Sequence, residues 1–155
     1  MLEANKLALP EEKHLPGINA RPNDGFLHAI ALQAHEHTTD DRASVNLPWL
    51  YGIRLINEGF YWEAHEVLEA VWMKALPNSR ERFLVQCLIH ISNARLKLAL
   101  KQEHAATRLQ GLAVYAAERA LSGCQGHLMG LDSSMVMSAA AECADASTSI
   151  AIKPV

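Results

Sequence analysis

From Phe26 to Ala144 apolar residues recur at intervals of three and four, the periodicity of helices that bury one face. In VNLPWLYGIRLINEGF, Trp49, Leu50, Ile53 and Ile56 share a face, Asn46 is a candidate cap and Pro48 suits the first turn. Asn57-Glu58-Gly59 breaks the pattern, with Gly59 a candidate left-handed stop. A second helix is expected from about Phe60 to Leu76, halted by Pro77-Asn78, so the pair forms a helical hairpin. ERFLVQCLIHISNARLKLAL is apolar on most of its circumference; with Ser79 as cap it predicts a long, central, buried helix over about 80–101. A further helix is expected over 103–121 and a short one from Asp132 or Ser133 to about Ala144, across the glycine-rich GCQGHLMGLDSS. FLHAIALQ suggests a short helix ahead of the hairpin. No strand alternation persists, so the expected class is all-α, with about five helices.

The ends of the chain read differently. Pro10, Pro16 and Pro22, with Gly17 and Gly25, argue against regular structure over 1–25, which reads as an extended arm. Residues 26–146 then make one domain, and STSIAIKPV, within 147–155, is a tail. A chain of 155 residues can bury roughly 70% of its unfolded surface without staples.

Charge and cysteine content narrow the setting. A formal net charge of −3 gives no electrostatic reason to expect nucleic acid or an anionic membrane as partner. No run approaches the ~20 apolar residues that span a bilayer, and the first residues lack a signal-peptide pattern. Cys87, Cys124 and Cys143 are scattered and odd in number, which fits a reducing, cytoplasmic compartment. Cys124 and His127 have CxxH spacing, a weak zinc signal when it stands alone.

The chemistry concentrates in YWEAHEVLEAVW. Phe60, Ala64, Val67, Leu68, Val71 and Ala75 form the core stripe of this helix, and Glu63, Glu66, Ala70, Met73 and Lys74 are expected to face solvent. Tyr61, His65, Glu69, Trp72 and Leu76 make a second stripe beside the first. A carboxylate shielded among apolar groups needs a donor, a cation or a metal, so Glu69 is expected to have a partner. The long helix offers one: Arg82, Gln86, His90, Asn93, Lys97 and Lys101 lie on a narrow line, facing either water or, through Gln86, His90 and Asn93, the His65/Glu69 pair. The other AHE, at Ala34-His35-Glu36, precedes His37, two threonines and two aspartates and reads as solvated.

NEGFYWEAHEVLEAVW, followed by RFLVQCLIHISNARLKL and HAATRLQ, resembles the helical bacterial and archaeal family known as domain of unknown function 309. That family is marked by a His, a Glu four residues on and a Trp or Tyr three beyond, here His65, Glu69 and Trp72. The resemblance covers about 48–121, and HLPGINARP resembles the arm of proteobacterial members. Cys87 stands where glycine commonly follows Gln86, and His90, Ser92 and Asn93 occupy places more often Gln and Ala. The resemblance implies a small helical fold and a suggested, unassigned metal-binding role for the motif.

Rival functions follow. His65 and Glu69 one turn apart, with His90 as third ligand, would hold a divalent metal ion. The two-histidine zinc-protease pattern and the repeated Glu-x-x-His of di-iron bundles are both missing. No nucleophile, oxyanion hole or phosphate loop marks a reaction, and whether the chain is an enzyme stays open. The competing reading is an inter-helix polar site of His65, Glu69, Trp72, Gln86, His90 and Asn93 that fixes helix register or binds a protein partner, with homodimerisation a candidate.

Overall fold

The computed structural model describes residues 2–23 and 25–155, without the side chain of Leu2. The fold is all-α: α1 (Leu2–Lys6), α2 (Gly25–Ala31), a 3-10 turn (Asp40–Val45), α3 (Leu47–Asn57), α4 (Tyr61–Met73), α5 (Arg80–Ala99), α6 (Glu103–Leu121) and α7 (Ser133–Glu142). Among the described residues no helix is long and apolar enough to cross a membrane.

The hairpin forms as its sequence directs. Asn46 accepts the Trp49 N–H at 3.2 Å, capping α3 ahead of the buried Trp49, Ile53 and Ile56. Gly59, at φ 81°, reverses the chain, and the Phe60 N–H returns to the Leu55 carbonyl at 2.8 Å. Gly52 lets the two helices approach closely, since a Cβ there would stand 2.5 Å from a Leu68 methyl carbon. The expected core stripe of α4, from Phe60 to Ala75, is buried throughout.

Ser79 caps α5 by accepting the Arg82 N–H at 3.1 Å. This longest helix packs against α4 on one side and α6 on the other, burying Leu84, Leu88 and Ile91 completely. It is the central element the apolar pattern predicts.

The segments outside the hairpin and long helices are more ordered than their composition suggests. The glycine-rich loop contains a two-stranded antiparallel hairpin, β1 (His127–Leu128) with β2 (Leu131–Asp132), which sequence alternation over two residues cannot announce. Met129 is buried at its tip and its carbonyl accepts the Trp49 indole N–H at 3.0 Å. The last residues run beside it, with an isolated bridge between Leu131 and Pro154 and with Ile152 fully buried.

The arm lies on α3 and α4. Arg54 donates to the Ala4 and Leu7 carbonyls at 2.8 and 2.6 Å, and the Tyr51 hydroxyl donates to the Ala8 carbonyl at 2.7 Å. Asn19 folds the next stretch, accepting the Leu15 N–H at 2.9 Å and donating to the Lys13 carbonyl at 2.8 Å. The arm is thus not extended throughout as expected, since Ala4 belongs to α1; beyond that helix these bonds answer backbone groups that the prolines leave outside regular structure. The arm thereby covers the first turn of α4.

Candidate functional site

The motif stripe lies at the margin of α4 where α5 crosses it. His65 and Trp72 are half-buried, whereas Glu69 is exposed. This corrects the expectation that Glu69 is shielded: α5 covers the stripe on one flank only, so water solvates the carboxylate. Among the described residues neither His65 nor Glu69 makes a side-chain hydrogen bond or ion pair.

Contacts across to α5 are nonetheless specific. The Arg82 guanidinium stacks 3.8 Å from the Trp72 ring centroid and donates to the carbonyls of Trp72 at 3.3 Å and Ala75 at 2.8 Å. His65 sits close enough to His90 for its charge to bear on it. Burial, then the charges of Arg108 and His65, hold the His90 imidazole below its ordinary pKa, favouring the neutral ring. Gln86 and Asn93 are half-buried on the same line. The network does not close, because Trp72 Nε1 and His90 Nδ1 are both buried without a hydrogen-bond partner.

The metal reading requires His65, Glu69 and His90 to converge. Among the described residues no three His, Cys, Asp or Glu side chains are grouped to hold a metal ion. The weaker CxxH signal also dissolves: the Cys124 thiol points to the His127 carbonyl at 3.7 Å, while the imidazole lies 3.9 Å from the Asp132 carboxylate.

Glu63, expected to face solvent, is buried, with 1% of its surface exposed. The His14 backbone N–H donates to its Oε2 at 3.0 Å, while its Oε1 is buried with no partner. Burial pushes the Glu63 carboxyl above the ordinary carboxylate range, opposed by the backbone N–H groups of His14 and of Glu63 itself and more weakly by the His14 and Lys13 charges. Helical spacing accounts for burial on the core side of α4 only. The arm buries a second side: His14 meets the Trp62 ring edge-on at 4.7 Å, and Arg21 lies 5.5 Å over that ring. The available signal was the pairing of Tyr61-Trp62-Glu63 with HLPGINARP, two stretches far apart in the chain.

No curated protein and no solved structure matches the chain. A family model does, over residues 49–109, from the start of the hairpin into α6, and this span contains His65, Glu69 and Trp72. That helical core matches the family described as Domain of unknown function (DUF309).

Proposed function

We propose that this chain is a helical interaction domain that associates with a second copy of itself through the face made by α4, α5 and α6. Three stripes run along that face. On α4 lie His65, Glu69 and Trp72, with Leu76 just past its end; on α5 Phe83, Gln86 and His90; on α6 Arg108, Leu112, Tyr115 and Arg119. The Arg82–Trp72 and Arg119–Phe83 stackings and the proximity of His90 to both His65 and Arg108 support their alignment.

The observation that carries the reading is the set of exposed apolar side chains, Leu76, Leu112 and Tyr115, along this one face. Leu76, Leu112 and Tyr115 are 60%, 40% and 58% exposed, unusual for side chains of their size within one face.

Charge favours self-association over other protein partners. A two-fold axis running along α5 would set the α4 stripe of one copy, with its Glu69 carboxylate, against the α6 stripe of the other, which carries Arg108 and Arg119. Nothing in the charge balance recommends nucleic acid or an anionic membrane instead, and the three unpaired cysteines suit a cytoplasmic setting.

Sedimentation equilibrium of the full chain tests this. A dimer is expected, weakened by Glu69→Arg and by Arg119→Glu alone and restored when the two are combined. A monomer at micromolar concentration, or a dimer indifferent to both substitutions, would overturn the reading.

A further inference from the structure

On the opposite side of α4 the arm encloses a cleft of about 430 Å³. Its walls are Leu9, Pro10, Pro22, Phe26 and Leu27, with Glu11 and Glu12 also lining it, and α4 contributes a single residue, Glu63. The volume falls in the range of small-molecule sites, and the pattern of apolar walls with a few polar groups is theirs too. We infer that this cleft binds a small organic ammonium ion with an apolar body, its charge held between Glu63 and the ring of Phe26.

Three observations converge on that ligand. Glu63 is buried, and of its two oxygens only Oε2 is occupied, by the His14 N–H. Oε1 has no partner, so the site holds an unused acceptor where a donor is worth most. Second, among the described residues the charged side chains lining the cleft, Glu11, Glu12 and Glu63, are all carboxylates. The neighbouring cations have other contacts, Lys13 and His14 acting on Glu63 only as distant charges: Lys13 lies over the Phe60 ring at 5.2 Å, Arg21 over the Trp62 ring at 5.5 Å, and the His14 ring packs on Trp62 while its Nδ1 meets Asn19 at 2.9 Å. Third, Phe26 lines the same cleft yet is 44% exposed, and an aromatic face left open beside carboxylates suits a cation.

The walls also argue against a bare metal ion. A hard dication takes six or more oxygen ligands, whereas this cleft presents leucine, proline and phenylalanine around one buried carboxylate. An ammonium on an alkyl or aromatic body satisfies both halves of the lining. The arm is then a recognition element, because its residues 8–12 and 22–23 form most of the wall.

Benzylamine is a suitable probe, with benzyl alcohol as its uncharged counterpart, followed by ¹H–¹⁵N NMR of the full chain near neutral pH. Benzylamine is expected to shift the amides of Leu9, Asn23, Phe26 and Glu63 saturably, and benzyl alcohol to bind far more weakly. Glu63→Gln keeps the side-chain shape and should weaken benzylamine about tenfold or more, the loss of a charge-assisted hydrogen bond. Equal binding of amine and alcohol, absence of any saturable shift, or unchanged affinity in Glu63→Gln would overturn the inference. If Glu63→Gln fails to fold, Phe26→Ala decides: its open ring can be removed without unpacking the core, and benzylamine affinity unchanged by its loss would be equally fatal. None of these readings depends on whether the chain dimerises.

Discussion

The His14 backbone N–H donates to Glu63 Oε2 across 49 residues of sequence, fastening the arm to the first turn of α4. This bond converts an acid on an apparent solvent face into a buried one. Because the donor is backbone, replacing the His14 side chain leaves the bond available, whereas shortening the arm removes it.

Glu63 should therefore write a signature into the pH dependence of stability. Its folded-state pKa is raised from the ordinary 4.5, chiefly by burial. A raised acid pKa means that the folded state favours the protonated form. The contribution is fully present below the unfolded value and is lost as pH rises through the folded one. Urea denaturation of Glu63→Gln and of the native chain should converge at low pH, with the native chain losing stability relative to the variant as pH rises above the carboxylate range. A pH-independent difference would show that Glu63 ionises in the folded chain as it does in the unfolded one.

His90 has the opposite sign. Burial first, then Arg108 and His65, hold its pKa below the ordinary 6.5. The folded state favours neutral imidazole, so this contribution is complete above 6.5 and is lost as pH falls from there toward the folded value. A ¹H NMR titration should place the His90 midpoint below 6.5, and Arg108→Ala should move it upward. A midpoint at or above the ordinary value would mean that the ring is better solvated than its burial implies.

The long helices were legible because their stability comes from a repeated local pattern. Asn46, Pro48, Gly59 and Ser79 mark their ends with the same groups that cap and turn the chain. The site was only half legible. The alignment of His65, Trp72 and the α5 line follows from helical spacing, which the sequence carries. The exposure of Glu69 depends on how far α5 overlaps α4, and the burial of Glu63 on where a proline-rich arm comes to rest. Those are contacts between distant segments, decided by crossing geometry that spacing alone does not encode. The glycine-rich loop concealed its order for a similar reason: the partners of Met129 are Trp49 and Asp40, both far upstream.

Gly52 should tolerate no larger residue. A Cβ at this position would meet Leu68 Cδ2 at 2.5 Å and Cγ at 2.6 Å, and Leu68 is fully buried. Overpacking of this kind costs about 1–3 kcal/mol, outweighing the better helix propensity of alanine, which is worth about 1 kcal/mol. Thermal denaturation of Gly52→Ala should show a lowered midpoint. Adding Leu68→Ala should then cost less than that substitution costs in the native background, since the clash it relieves is gone. Strict additivity of the two would mean that α3 and α4 move apart at little cost.

The last segment should matter to stability more than its composition suggests. Asn57 donates to the Ile152 carbonyl at 2.6 Å and accepts the Ile152 N–H at 2.7 Å, holding the backbone as a neighbouring strand would. Asn57 is itself exposed, so water competes for both bonds, and Asn57→Ala should cost only about 1–2 kcal/mol. Removing residues 149–155 should cost more, because Ile150 and Ile152 are buried and each such side chain contributes roughly 1.5–3 kcal/mol. The deletion also uncovers Leu131 and Met129, whose carbonyl receives the Trp49 indole, so Trp fluorescence should change together with the urea midpoint. Equal stability of the shortened and full chains would show that these residues rest on the core without supporting it, and the Asn57 substitution would then be silent as well.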